Sequence, residues 1–300
     1  PTGQRAVFQF RGDIITVPKE DGTWRNLTNS SDSAERYPVW SPKGDRVAWF
    51  SDANGEYQLA ISDQFGLEDP RTIELPNPTF YFRPDWSPDG TYIAYTDTDY
   101  NLWYVNVESG EATYVDTDGY AHPNRTLNPV WSPDSKWIAY VKLLPNQFKA
   151  VMVHNVDNGE TWQLSDGMSD AITPVWSEDG KYLYFLASTN YGLNTGWLDM
   201  SSYNMPVTRA LYMIVLAEGE PSPLLPESDD EKVADADGDD EEESSGNGNG
   251  SSNGEVTVRI DLDGIAGRIL AVDIPERNCT GLMPGPGGSV FYTESVPNEG

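Results

Sequence analysis

The stretch "RPDWSPDGTYIAYTDTD", residues 83–99, recurs along the chain in recognisable variants. The variants are centred on four tryptophans, spaced 46, 45 and 45 residues apart: Trp40, Trp86, Trp131 and Trp176. In each, proline lies two residues before the tryptophan, a branched aliphatic residue follows seven later, and an aromatic residue follows nine later. Because offsets of seven and nine differ by two, these side chains are expected to share one face of a strand.

Each repeat predicts four short antiparallel strands. In "SPDG", proline suits the second position of a turn and glycine is free at the fourth, so the segment joins the strand that ends on tryptophan to the alternating strand "YIAYT". A period of about 45 residues with four strands is typical of a β-propeller blade. The sequence therefore predicts an all-β protein, a propeller of four-stranded antiparallel blades numbering about six to seven. A β-solenoid is the structural alternative, but its repeats are usually shorter.

The repeat pattern extends to both ends of the chain. Residues 6–28 resemble the last three strands of an earlier blade, residues 256–275 resume strand-like sequence, and residues 282–295 resemble a repeat without its tryptophan. We expect residues 1–300 to form one propeller domain that is a segment of a larger protein. Two arrangements remain open: residues 1–28 and 282–300 combine into one closing blade, or the ring continues beyond Gly300.

Two insertions interrupt the repeats. Residues 227–254 contain eleven acidic residues and one lysine before a Gly/Ser/Asn tract, a composition that predicts a disordered acidic loop. A calcium loop is the alternative, but the spacing of Asp235, Asp237 and Gly238 does not fit that motif. Residues 188–208 are rich in aromatic and turn residues and are expected to lie over one face of the ring.

The formal net charge of −29 argues against nucleic acid and anionic membrane surfaces as partners, since both attract cationic proteins. An acidic, lysine-poor surface fits a salt-adapted source or simple solubility. No apolar run is long enough to span a bilayer. The one cysteine, Cys279, excludes an intrachain disulfide, which leaves cytoplasm and periplasm both open.

The sequence offers no catalytic constellation. The nucleophile-elbow, phosphate-loop and zinc-protease motifs are absent, and His122 and His154 are the two histidines in the chain. We read His154 as a packed strand residue, His122 as a loop residue and Cys279 as a buried thiol. No catalytic residue, metal site or cofactor is therefore predicted.

A central channel is the remaining candidate site. The innermost strand of a blade lines the hole of a propeller, and here that strand runs into each tryptophan. Three residues before the tryptophans stand Tyr37, Arg83, Asn128 and Thr173. These side chains either line a substrate channel or merely solvate a pore. Arg83 could pair with a neighbouring carboxylate or receive a peptide carboxylate.

These residues resemble a known family. The segments "RGDIITVPKEDGTWRNLTN" (11–29), "PVWSPKGDRVAWFSDANGEYQLAI" (38–61) and "DGKYLYFLASTNYGLNTGWLDMSSYNMPVTRALYMIVL" (179–216) are similar to the second, seven-bladed propeller of tricorn-type serine proteases. The resemblance covers roughly residues 3–295. The run 179–216 is its most specific part, because "WSPDG" also occurs in TolB-like propellers and in those of prolyl-oligopeptidase relatives.

The resemblance implies a parent serine peptidase with two propellers, a PDZ-like module, a catalytic core and a hexameric assembly. This propeller would admit oligopeptides to the core, and the family's catalytic residues would lie outside this segment. A TolB-like protein-binding module without enzymatic activity is the main alternative, and the lid of an α/β-hydrolase peptidase is another.

Overall fold

The computed structural model describes residues 2–119, 127–189, 207–224, 256–285 and 288–296. The acidic loop predicted at 227–254, His122 and nearly all of the excursion predicted at 188–208 lie outside these residues. Within the described ranges, regular structure consists of β-strands and one short 3-10 helix, Ile265–Arg268. No helix in this part of the chain is long and apolar enough to cross a membrane.

The strands form six antiparallel sheets, which we call blades 1 to 6 in chain order. Blade 1 contains β1 (Arg5–Phe10), β2 (Asp13–Pro18) and β3 (Arg25–Asn26). Blade 2 contains β4 (Arg36–Trp40), β5 (Arg46–Ser51), β6 (Gln58–Asp63) and β7 (Arg71–Ile73). Blade 3 contains β8 (Tyr81–Trp86), β9 (Tyr92–Asp97), β10 (Asn101–Asn106) and β11 (Ala112–Thr117).

Blade 4 contains β12 (Val130–Trp131), β13 (Trp137–Leu143), β14 (Lys149–Asn155) and β15 (Thr161–Gln163). Blade 5 contains β16 (Asp170–Trp176), β17 (Tyr182–Ser188), β18 (Ala210–Val215) and β19 (Ile269–Ala271). Blade 6 contains β20 (Cys279–Pro284) and β21 (Val290–Glu294). Strand order within every sheet follows the chain, and blades 2 to 5 each have four antiparallel strands. The prediction of an all-β propeller built from such blades is thus confirmed, with three described strands in blade 1 and two in blade 6.

The turn after each repeat tryptophan is held by its serine. In blade 3, Gly90 N donates to Ser87 O at 2.9 Å, Ser87 Oγ donates to Asp89 Oδ1 at 2.5 Å, and Tyr92 N donates to Ser87 Oγ at 2.9 Å. The same serine contacts recur in blades 4 and 5. In blade 2, where Lys43 replaces the aspartate, Ser41 Oγ donates to Asp45 Oδ1 instead. Gly90 has a φ of 79°, which glycine adopts without strain. The repeat sequence thus encodes a self-capped turn.

The second strand of each of blades 2 to 5 packs between two neighbouring blades. In β9, Ile93 and Tyr95 face blade 2, where Tyr95 contacts the ring of Phe50 at 6.0 Å, while Ala94 faces blade 4. The equivalent pairs seven and nine residues after the other tryptophans also lie against the preceding blade. The prediction that these offsets share one face is confirmed, and the shared face fills the space between blades.

The return into blade 5 differs from the expectation of strand-like structure throughout 256–275. Residues 256–262 form no ladder, and strand pairing resumes at β19. Isolated hydrogen bonds hold this segment instead: Val258 N donates to Asp134 Oδ2 at 2.9 Å, and Asp261 N donates to the carbonyl oxygen of Leu216 at 3.0 Å. Alternating apolar residues therefore mark a packed segment outside any strand here.

Of the two arrangements that the sequence leaves open, the one in which residues 1–28 and 282–300 combine into one closing blade is not seen in the described residues. Strands β1–β3 and β20–β21 form two separate sheets. Blade 1 packs on blade 2 through Ile14 and Trp49, and blade 6 packs on blade 5 through Leu282 and Leu186. Each terminal sheet is therefore anchored by the blade next to it in sequence.

Candidate functional site

The first strands of three blades carry a bulge at one equivalent position. In β8, Phe82 pairs with Thr96 and Asp85 pairs with Ala94, so Arg83 and Pro84 together oppose a single residue. Register shifts occur at the same place in β4 and β16. Bulges of this kind redirect a side chain, and proline fits beside them because it has no N–H to contribute to the ladder.

The bulged residues adopt left-handed backbone conformations. The φ angles are 54° at Tyr37, 51° at Arg83 and 49° at Thr173. Residues other than glycine seldom adopt positive φ, and a β-branched threonine does so at particular cost. The first strands of blades 2, 3 and 5 therefore share one unfavourable backbone conformation at the bulge.

A cavity of about 220 Å³ lies among blades 2, 3 and 4. Its walls include Tyr37, Phe82, Arg83, Tyr100, Leu127 and Asn128. The Tyr37 and Phe82 rings meet edge to face with centroids 5.8 Å apart, which joins blade 2 to blade 3. Three of the four predicted channel residues therefore border a single cavity. Tyr37 and Arg83 come from strand bulges, and Asn128 directly precedes Pro129.

Arg83 is exposed, and Asn128 holds one end of its guanidinium. Arg83 Nη1 donates to Asn128 Oδ1 at 2.5 Å, a contact between blade 3 and the entrance to blade 4. Within the parts of the chain that the structure describes, no carboxylate forms an ion pair with Arg83. The pairing with a neighbouring acid that the sequence left open is thus absent there, and an amide takes its place.

Thr173 is not among the residues that line this cavity. It occupies the equivalent bulge in blade 5, where its Oγ1 is buried and has no hydrogen-bond partner among the described residues. The structure therefore groups Tyr37, Arg83 and Asn128 and separates Thr173 from them.

Sequence reasoning missed most of the cavity wall. Phe82, Tyr100 and Leu127 supply apolar surface, and Asp118 adds a buried carboxylate whose Oδ1 accepts a hydrogen bond from Leu143 N at 2.9 Å. Phe82 and Leu127 each directly precede a predicted channel residue, so the position four before tryptophan could have identified them. Tyr100 and Asp118 lie in loops at no repeat position and gave no such signal.

Asp85 differs from its counterparts in the other repeats. The residue before the tryptophan is valine in blades 2, 4 and 5, and it packs there in the interface with the next blade. Asp85 places a carboxyl group at this apolar position, and burial raises its pKa to about 6. An ionised carboxylate is disfavoured where water is scarce.

His154 and Cys279, the remaining candidates within the described residues, are both buried. His154 is 2% exposed, burial lowers its pKa, and its Nδ1 lies 2.9 Å from Thr161 Oγ1. Cys279 packs in the interface of blades 5 and 6, where burial raises the pKa of its thiol. Among the described residues, no group of three or more His, Cys, Asp or Glu side chains is arranged to hold a metal ion.

The chain is similar to known proteins over its whole length. The family model described as "Tricorn protease second beta propeller domain" matches residues 1–300. The crystal structure of the tricorn protease superposes with a TM-score of 0.68 at 16% identity, covering 94% of this chain and 25% of that one. At this level of identity the likeness shows the fold.

Two curated peptidases also match part of the chain. Dipeptidyl-peptidase 5 of Porphyromonas gingivalis is 26% identical over 118 residues, which are 37% of this chain and 17% of that protein. Uncharacterized peptidase YuxL of Bacillus subtilis is 27% identical over 152 residues, which are 50% of this chain and 21% of that protein. The matched region thus spans about a fifth of the length of either relative.

Proposed function

Because the chain belongs to the family of tricorn protease second β-propeller domains, we propose that it guides oligopeptides to a serine peptidase core elsewhere in the same protein. This segment supplies positioning, and bond cleavage takes place outside it. The family match and the peptidase relatives support a parent peptidase, and the cavity at the bulged first strands supports a role in contacting peptide.

One observation carries the proposal: Tyr37, Arg83 and Asn128, from equivalent positions in three successive blades, border one cavity. Side chains that only solvate a pore have no need of backbone strain, whereas Tyr37 and Arg83 both have positive φ. Strain of this kind is concentrated at functional sites, where the surrounding fold holds it in place.

The physical task fits an extended peptide. A passage lined by first strands admits an unfolded chain and excludes a folded domain, and contacts along the passage reduce the orientations that a peptide can take before cleavage. The parent protein would thereby select substrates by size before any chemistry begins.

The test blocks the passage from within. Tyr37→Cys in the full-length protein introduces an exposed thiol at the cavity, and a bulky maleimide then occupies the space. Thr72→Cys, on the exposed outer strand β7 of the same blade, is the matched control. We expect labelling at position 37 to lower kcat/KM for a decapeptide by about tenfold or more, and to affect a chromogenic dipeptide less.

Two results would overturn the proposal. Equal decapeptide kinetics for the two labelled proteins would remove the cavity from the substrate path and favour a protein-binding propeller. A full-length protein that hydrolyses no peptide would remove the parent peptidase itself.

A further inference from the structure

We propose that the cavity beside Arg83 receives the carboxy-terminal residue of a peptide, with the terminal carboxylate on the Arg83 guanidinium and an aromatic or large aliphatic side chain in the cavity. The proposal rests on the peptide-guiding function and names the part of the peptide that this site recognises.

The Arg83 guanidinium is oriented by Asn128 and has N–H groups that can donate to a carboxylate. Arginine presents a planar set of N–H donors that matches a carboxylate with two parallel hydrogen bonds. Asn128 Oδ1 accepts one of these donors and fixes the orientation of the group, while no described carboxylate competes for the rest. In a chain with a formal charge of −29, an exposed arginine that forms no ion pair among the described residues is a local exception to the surrounding field.

The cavity walls select the side chain. Tyr37, Phe82, Tyr100 and Leu127 line it with aromatic and aliphatic surface. Its volume of about 220 Å³ exceeds the roughly 150 Å³ of an engineered protein cavity that admits benzene. A phenylalanine or leucine side chain therefore fits, and it would be held by the aromatic edges of the wall.

The same wall discriminates against an acidic terminal residue. Most of the lining is aromatic or aliphatic, from Tyr37, Phe82, Tyr100 and Leu127. A carboxylate on the incoming side chain would lose its hydration against this apolar surface, which disfavours the ionised form. The site thus accepts the terminal carboxylate at the exposed Arg83 and excludes one from the apolar part of the cavity.

Small probes test this without any cleavable peptide bond. Binding to the full-length protein is measured by NMR titration with N-acetylphenylalanine, N-acetylphenylalaninamide, N-acetylglycine and N-acetylaspartamide, the last carrying only a side-chain carboxylate. We expect a Kd on the order of 1 mM for N-acetylphenylalanine. The amide and the glycine derivative should each bind about tenfold more weakly, since one loses the charge-assisted hydrogen bonds and the other the apolar contact.

Two variants assign the effect to this residue. Arg83→Gln should abolish the preference for the acid over the amide. Arg71→Gln makes the same charge change at an exposed arginine outside the cavity, which pairs with Glu108, and should preserve the preference. Equal binding of acid and amide, or a preference that survives Arg83→Gln, overturns the proposal. Binding of N-acetylaspartamide as tight as that of N-acetylphenylalanine also overturns the proposal, because the site would then bind a side-chain carboxylate as well as a terminal one.

The outcomes separate this inference from the function on which it rests. If labelling at position 37 blocks decapeptide hydrolysis while acid and amide bind equally, guidance stands and recognition of the terminus fails. If the acid is preferred through Arg83 while labelling has no kinetic effect, the cavity binds peptide termini and the guiding function fails.

Discussion

The indole Nε1 of Trp131 donates a hydrogen bond to the carbonyl oxygen of Asp85, 3.1 Å away in the preceding blade. Trp176 Nε1 makes the same contact with Val130 O at 3.1 Å. In both, the acceptor is the residue before the previous repeat tryptophan. Trp40 and Trp86 have buried Nε1 atoms that find no acceptor among the described residues. Trp131 and Trp176 therefore join neighbouring blades by a hydrogen bond as well as by packing, whereas Trp40 and Trp86 make no such bond among the described residues.

Trp131→Phe should destabilise the protein more than Trp86→Phe. Both tryptophans are nearly buried, at 7% and 5% exposure, so the lost apolar area is similar. Trp131→Phe removes the donor that bonds to the Asp85 carbonyl oxygen. Trp86→Phe removes an Nε1 donor that has no acceptor among the described residues. We expect the free energies of unfolding, measured in urea, to differ by about 1–2 kcal/mol. Equal losses would show that the Trp131 hydrogen bond contributes nothing beyond packing.

The blade architecture could be predicted from Trp86 and its counterparts because every blade of a propeller repeats the same local strand and turn structure. The spacing of tryptophans gave the period, the proline and glycine of the turn gave the strand boundaries, and the pair Ile93 and Tyr95 gave the buried face. Each of these depends on neighbours in sequence or on an equivalent position in the next repeat, and the structure confirms them.

The cavity was only partly predictable because it depends on tertiary geometry. A residue before proline favours extended backbone, so nothing local indicates the left-handed conformation at Arg83. Tyr100 reaches the wall from a loop that has no repeat position. The segment 256–262 resembles a strand because its apolar residues alternate. They pack against the core without joining a ladder, and Val258 lies over Gly180, where an added Cβ would approach Val258 Cγ2 to 2.7 Å.

Ser135 provides a test of strain in the repeated turn. It has a φ of 61° where three equivalent turns have glycine, and its Oγ accepts a hydrogen bond from Asp89 N at 3.1 Å in the preceding blade. Ser135→Ala loses this acceptor and keeps the strain, whereas Ser135→Gly loses the acceptor and relieves the strain. In thermal unfolding, we expect the glycine variant to be about 0.5–1 kcal/mol more stable than the alanine variant.

Gly90→Ala is the matched control for that comparison. An added Cβ would lie 3.9 Å from Pro42 Cδ, an ordinary contact, so any loss reflects the backbone alone. A cost of about 1 kcal/mol is expected. Equal stability of Ser135→Ala and Ser135→Gly would argue that the turn tolerates a side chain at this position without strain.

The ion pair between Asp116 and Lys142 should couple blades 3 and 4. Their atoms Oδ1 and Nζ are 2.6 Å apart, both side chains are largely buried, and Tyr140 Oη donates to the other carboxylate oxygen at 2.6 Å. A double-mutant cycle with Asp116→Asn and Lys142→Met should give a coupling of about 1–2 kcal/mol. The pair Arg277 and Glu294, at 3.2 Å and more exposed, should give a clearly smaller coupling because solvent screens it. Similar couplings for the two pairs would refute a special role for the interblade contact.

Asp85 should make stability fall as the pH rises. Burial raises its pKa from an ordinary value near 4 to about 6, so the folded protein holds this proton more tightly than the unfolded chain does. The unfolded state therefore binds fewer protons between about pH 4 and 6, and the free energy of unfolding declines across that window and then stays level. A shift of about two units corresponds to a loss of about 2–3 kcal/mol.

Asp85→Val restores the residue found at this position in blades 2, 4 and 5 and keeps the carbonyl that accepts from Trp131. The gain in the free energy of unfolding of Asp85→Val over wild type should be small below pH 4 and should grow between pH 4 and 6. It should reach about 2–3 kcal/mol at pH 8, measured by urea unfolding at constant salt. Parallel pH profiles for wild type and Asp85→Val would mean that the carboxylate finds enough water in the folded interface to ionise at its ordinary pH.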